Sequence, residues 1–168
     1  GLITNFSVEA LEKVRCADDL PIPMLEDVIG LLTKHPNVGL NIELKSKGTA
    51  DLVAQAIQAN PHIPVLVSSF HHDELAQFRQ VDKATPVAPL FARWREDIRD
   101  IANNLDAVAI NIAATSITAA RMQTLRKSRL PIFAYTVNAP GKADKLQQLG
   151  LKGIFTDRPD KFEKYLLI

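Results

Sequence analysis

Cysteine is almost absent: Cys16 is the only one in 168 residues. No internal disulfide can form, and a chain that needs none fits a reducing compartment. Neither sign of charge dominates. Twenty Lys and Arg stand against 19 Asp and Glu, a formal net charge of +1, so no general field draws the chain to nucleic acid or to an anionic membrane. Long apolar runs are missing as well; none approaches the roughly 18 residues of a membrane helix. The first residues, Gly1-Leu2-Ile3-Thr4-Asn5, lack the charged and apolar regions of a secretory leader. These absences set the expectation of a cytoplasmic protein with no membrane span and no nucleic-acid partner. Glycine is scarce too, at seven residues. No Gly-rich loop follows any candidate strand, which counts against the phosphate cradle of nucleotide-binding sheets.

What is present is ordinary for a globular domain: 46% hydrophobic and 23% charged residues, in a length that makes one domain with a real core. From residue 37 onward short apolar, β-branched runs alternate with amphipathic segments. The predicted strands are 38–45, 65–70, 87–91, 107–112, 132–137 and 153–156. The predicted helices are 50–59, 72–81, 95–104, 117–129, 141–149 and 159–167, with one more at 25–34 and a short one near 8–14. Thr49 and Ser116 are side-chain oxygen N-cap candidates, Asp157 is a third before Pro159, and Gly150 suits a left-handed turn after Leu149. Six strands, each followed by a helix, specify a parallel sheet covered by helices. An open doubly wound sheet and a (β/α)8 barrel both fit that pattern. Polar residues collect where the strands end, which is where both architectures keep their sites. The barrel is favoured, yet six strands cannot close one. The expected fold is α/β, a TIM (β/α)8 barrel truncated to about six β/α units, with the first two strands absent.

The stretch Asn41-Ile42-Glu43-Leu44-Lys45 is the most informative. Alternate residues of a strand share a face, so Asn41, Glu43 and Lys45 point one way and Leu40, Ile42 and Leu44 the other, toward helices. Charge on the inner face of a barrel strand is tolerated only near the mouth, since unpaired burial costs several kcal/mol or shifts the pKa. Two uses fit: an ion pair closing the top of the barrel, or a carboxylate metal ligand beside a lysine for an anionic group. Ser68-Ser69-Phe70 could offer hydroxyls to a phosphate and a floor to a pocket, or cap a helix and fill core. His71 and His72 are adjacent and face apart, with no further His or Cys nearby, which disfavours a metal there. Tyr135 could pack on a small polyol, with Asn138 bonding it or capping the next helix. Asn111 falls on the inward alternation of its strand. Arg93, Trp94 and Arg95 either form a loop over the site or a basic surface.

Taken in order, five stretches resemble the glycerophosphodiester phosphodiesterase family in its bacterial cytoplasmic form. They are Ile22-Pro23-Met24-Leu25-Glu26-Asp27-Val28, Asn41-Ile42-Glu43-Leu44-Lys45, Ser68-Ser69-Phe70, Tyr135-Thr136-Val137-Asn138 and Gly153-Ile154-Phe155-Thr156-Asp157-Arg158-Pro159. The resemblance implies a TIM barrel that hydrolyses glycerophosphodiesters to glycerol 3-phosphate and an alcohol. It implies a divalent cation, Mg2+ or Ca2+ with Mn2+ as a third candidate, and Glu43 as a metal ligand. Lys45 would be catalytic, touching the phosphate or a metal-bound oxygen. Phe70 and Tyr135 would line a glycerol pocket. Asn138, which closes the same motif, and Asn111, on the inward alternation, complete the candidate substrate-binding set.

The family's His-Arg-Gly, Glu-x-Asp and early His-Asp motifs have no counterpart in this sequence. The chain therefore reads as one incomplete domain over 1–168, in which 1–22 is the tail of an insertion and 23–168 the last six units. On this reading the 168 residues alone are inactive, and the barrel's open edges need the missing N-terminal segment or a second copy of the chain. Two rivals stand beside it. One is a Schiff-base enzyme with Lys45 as nucleophile; the other is a non-catalytic partial barrel that binds or oligomerises.

Overall fold

A computed structural model describes residues 3–163. Six strands, β1 (Leu40–Glu43), β2 (Val65–Ser69), β3 (Val87–Phe91), β4 (Ile110–Ala113), β5 (Ile132–Tyr135) and β6 (Gly153–Ile154), form one sheet in the order β1-β2-β3-β4-β5-β6. Every pairing is parallel. That order separates the two architectures. A doubly wound sheet reverses its strand order at a switch point, whereas a barrel adds each strand beside the last. The sheet is a curled half-barrel, as expected from the sequence.

The helices are α1 (Val8–Leu11), α2 (Leu25–Leu32), α3 (Ala50–Gln58), α4 (His72–Val81), α5 (Ile98–Asn104), α6 (Ala119–Arg126) and α7 (Pro140–Gln148). Apolar periodicity positions them. In α3, Ala50, Val53, Ala54 and Ile57 recur at the spacing of one helical face, and all four join or pack against the core. The core lies between the sheet's outer face and these helices. Val67, Val87, Phe91, Ile110, Ile112 and Ile132 meet Leu75, Phe78, Ile98, Met122 and Leu125 there. Leu44 is buried in the same cluster and Ile42 packs against it, so the predicted alternation of the first strand holds.

Some expectations shift. Strand β4 starts at Ile110 rather than 107, and β6 shrinks to two residues. Helix α6 is capped by Thr118, whose hydroxyl accepts from the Arg121 amide at 3.2 Å, not by Ser116. Thr49 makes no side-chain cap. Of the predicted helix 159–167, the described part holds a 3-10 turn, Pro159–Lys161, preceded by Arg158 without a side-chain cap; the rest, from 164, lies outside the described residues. Gly150 does take the left-handed region, at φ 91°.

At the end of α4, buried Asp82 accepts from the Ala84 and Thr85 amides and the Thr85 hydroxyl, at 2.8, 2.9 and 2.6 Å. Burial alone would raise this carboxyl, but the Thr85 and Ala84 donors, with Arg79 nearby, outweigh it and hold the pKa below the ordinary value. A depressed folded pKa adds stability that is present above the unfolded value and is lost as pH falls through the carboxylate range. Asp82→Ala is expected to cost about 1–2 kcal/mol at neutral pH, with the gap to the unmodified chain closing in acid. Urea midpoints at pH 7 and at about pH 3 measure both.

Candidate functional site

In a parallel sheet, register partners share a face. Glu43 is paired with Ser68, Leu90 with Asn111, and Ala113 with Tyr135. These residues form the inner, concave side, opposite the main core. Its deeper part is closed: Ser68 and Asn111 are fully buried. Its upper part, with Glu43, Tyr135 and Phe155, stays partly open.

Two pairs of side chains mark the rim at the C-terminal strand ends. The Lys45 ammonium donates to Glu43 Oε1 at 3.0 Å, with side-chain exposures of 76% and 27%. Phe70 packs edge-on against Tyr135, ring centroids 5.7 Å apart and planes at 89°, and Tyr135 meets Phe155 at 6.5 Å. Tyr135 links the two pairs. Its phenol is pushed up to about 12, first by burial and then by the negative charge of Glu43. Phe70 follows β2 and Tyr135 closes β5, with two strands between them in the sheet, so their ring contact shows the curl that turns these strand ends to one place.

Three groups of buried polar atoms on this face have no hydrogen-bond partner among the described residues: Ser68 Oγ, both amide atoms of Asn111, and Tyr135 Oη. Buried polar atoms are almost always paired, and these have side chains on the side where a barrel holds its ligands. Sequence alone pointed to Asn111 and Tyr135 but left Ser68 as one of two equivalent hydroxyls. The structure separates the serines. Ser69 Oγ donates to the Leu44 carbonyl and accepts from the His71 amide at 2.9 Å, so it ties strand ends together and is not free for a phosphate.

Over this face the chain has the fold of known enzymes. The glycerophosphoryl diester phosphodiesterase family model matches residues 2–161. The chain belongs to that family. A glycerophosphodiester phosphodiesterase of Bacillus altitudinis is 29% identical over 185 residues, covering 98% of this chain and 73% of that protein. Bacillus subtilis YhdW is 32% identical over 180 residues, 95% of this chain and 71% of its own length. The structure of an Oleispira antarctica phosphodiesterase in complex with the product sn-glycerol-3-phosphate superposes with a TM-score of 0.90 at 20% identity, over 99% of this chain and 72% of that one.

The six-unit phosphodiesterase barrel brings Glu43, Lys45, Phe70 and Tyr135 to one rim, with Asn111 lower on the same face. Asn138 is on the rim but committed. Its amide accepts from the Thr156 hydroxyl and the Asp157 amide and donates to Asp157 Oδ2, all within 3.0 Å. It therefore laces the loop after β5 to the end of β6, and Asp157, expected to cap the last helix, serves that lacing. Trp94 and its neighbours form a self-bonded loop: Trp94 Nε1 donates to Glu96, Arg95 to Asp97, and Arg121 lies 5.2 Å over the indole. His72 Nε2 donates to the Leu90 carbonyl at 2.9 Å. Among the described residues no three His, Cys, Asp or Glu gather as a metal cluster. A hollow of about 410 Å3 lined by Ile57, Ile63, Thr85 and Pro86 lies before β2 and β3, at the opposite end from the rim.

Sequence reasoning missed Glu74. It sits on α4 beside Leu75 and Phe78, 1% exposed. Its carboxylate accepts from the Gly48, Thr49 and Ala50 amides at 3.0, 2.8 and 2.9 Å. Burial opposes its charge, but these amides and the Thr49 hydroxyl prevail and hold the carboxyl below its ordinary value. The signal was available: an acid four residues before Phe78 falls on the buried stripe of the helix.

Among the described residues no helix is long and apolar enough to cross a membrane.

Proposed function

We propose that this chain supplies six of the β/α units of a divalent-cation-dependent phosphodiesterase, which hydrolyses glycerophosphodiesters to glycerol 3-phosphate and an alcohol. The observation that carries the reading is the meeting of an ion pair, Glu43–Lys45, and an aromatic pair, Phe70–Tyr135, at one rim of the curled sheet. Lys45, exposed at the rim, is a point charge suited to a phosphate oxygen. Phe70 and Tyr135 offer apolar edges to the carbons of a glycerol moiety and exclude water from them. Asn111 is closed off from solvent, and its amide, bonded by none of the described residues, would meet a ligand hydroxyl once a ligand opens the inner face. Asn138 acts by fixing the β5 and β6 rim rather than through its spent amide oxygen.

Glu43 is the right kind of donor for Mg2+, Ca2+ or Mn2+, which take oxygen ligands. One carboxylate already paired with a lysine does not make a complete coordination sphere, so the remaining ligands come from outside the described residues. A cation so held would polarise a phosphoryl oxygen. The open inner face and the unpaired edges of β1 and β6 call for the remaining strands, joined in one chain or bound as a separate segment. A cytoplasmic location follows from the family type that the motifs resemble.

Titration of the labelled chain with glycerol 3-phosphate and Mg2+, followed by amide chemical shifts, tests the reading. Shifts are expected at Lys45, Phe70 and Tyr135, and Lys45→Ala is expected to weaken the affinity at least fivefold, roughly 1 kcal/mol. Shifts confined to other faces, or an unchanged affinity in the variant, would overturn it.

A further inference from the structure

The segment that follows Glu43 is held in place almost entirely from α4. Ser69, just before that helix, binds the Leu44 carbonyl through its hydroxyl. Asp73 pairs with Lys47. Glu74 takes three consecutive amides, Gly48 to Ala50. Gly48 itself is at φ 78°, a turn that only glycine enters at no steric cost. The loop thus leaves the rim, turns at Gly48 and is pinned on a buried carboxylate. Lys45 lies between two of these anchors, Leu44 and Lys47, with its own side chain in solvent. Among the described residues that side chain bonds only to Glu43.

Exposed lysines are costly to order, since a long side chain loses much rotamer freedom when it binds. Fixing the backbone on both sides of Lys45 meets the backbone share of the ordering cost before any ligand arrives, so that only the side chain remains to be ordered. A Glu at position 74 is an expensive way merely to start α3, because a Ser or Thr N-cap would satisfy the same end of the helix without burying a charge. What the buried carboxylate adds is a rigid tie between the turn after β1 and the helix after β2, the two rim segments that bear Lys45 and Phe70.

We infer that Glu74 is a positioning residue of the rim: by clamping the Gly48–Ala50 amides it holds Lys45 in register with Phe70 for an anionic phosphate ligand. The inference rests on the phosphodiesterase reading of the rim given above. Glu74 touches no ligand, and its effect passes through the loop.

The test uses Glu74→Gln, which keeps length and one acceptor but removes the charge, and Glu74→Asp, which keeps the charge but draws it back by one methylene. Each is measured in the same chain by amide hydrogen exchange and by glycerol 3-phosphate titration in the presence of Mg2+. In Glu74→Gln, exchange at Gly48, Thr49 and Ala50 is expected to accelerate at least tenfold while Val67 and Ile110, whose amides bond the Pro86 and Pro131 carbonyls, stay protected, and the ligand affinity is expected to fall about fivefold. Where Glu74→Gln does not fold, Glu74→Asp is read in its place, with the same two changes expected at smaller size. Faster exchange with unchanged affinity would show a purely structural role and overturn the inference alone. Unchanged exchange would overturn it as well. A parent chain that binds no glycerol 3-phosphate would remove the phosphodiesterase reading and this inference with it.

Discussion

Glycerophosphocholine mixed with the 168-residue chain is expected to remain intact with Mg2+, Ca2+ or Mn2+. Hydrolysis of a phosphodiester needs a group to activate the nucleophile and another to protonate the leaving alkoxide, each contributing about 10²–10⁴-fold. The chain has four histidines, and from their places in the fold we expect no two of them to serve as that pair. His35 and His62 precede β1 and β2 and so lie at the far end from the rim; His62 is spent on the Thr33 hydroxyl at 3.3 Å. His72 is fixed on the Leu90 carbonyl. His71 remains, and the inner rim offers a single carboxylate, Glu43, that is paired with Lys45. Release of choline, followed by a coupled assay over hours at high protein concentration, measures the expectation. Turnover that EDTA removes and Glu43→Ala abolishes would refute it.

The second large effect runs in the opposite direction. Asn111→Leu is expected to raise the stability of the chain by about 2–3 kcal/mol, the cost of leaving a buried amide unpaired. For a chain of this length that is roughly 5–10 °C in melting temperature. Asn111 is wholly buried on β4, and neither its Oδ1 nor its Nδ2 has a partner among the described residues. Leucine has nearly the same branched outline and asks for no hydrogen bond. A residue that weakens the fold at its own position is retained for another use. The same variant should therefore lose glycerol 3-phosphate binding as it gains stability. Thermal melts and the ligand titration on one preparation measure both. A lower melting temperature would mean that the amide is satisfied in solution, and that the inner face does not hold it in reserve.

Local patterns carried most of the architecture. Period-two alternation placed Glu43 and Lys45 on one face and Leu44 in the core, because that rule depends only on backbone geometry. The apolar stripes of α3 and α4 located those helices within a residue or two. The misses share a cause. Thr49 looked like a cap by residue type, yet its helix end is satisfied by Glu74, 24 residues beyond Ala50 along the chain. Ser116 and Thr118 are equivalent by type, and only the turn geometry chooses Thr118. Asn138 and Asp157 were each given separate tasks but bond to each other across 19 residues. Partnerships between distant polar residues leave no periodic trace. The hydrophobic pattern showed where the rim is; it could not show which polar groups the rim had already used.

The sequential strand order has a consequence for how such a barrel comes into being. Leu40 meets Val65, and Phe133 meets Gly153; each strand closes on one made 20 to 25 residues earlier. Connections of that length carry a modest closure entropy, and pairing each strand with its sequence neighbour keeps the contact order low for a parallel sheet. The sheet can grow in the direction of synthesis, each unit docking as it leaves the ribosome. A protein assembled this way divides naturally between units. Two pieces cut between units would each retain their own strand neighbours, so a cut in such a connection costs fewer pairings than a cut within a unit.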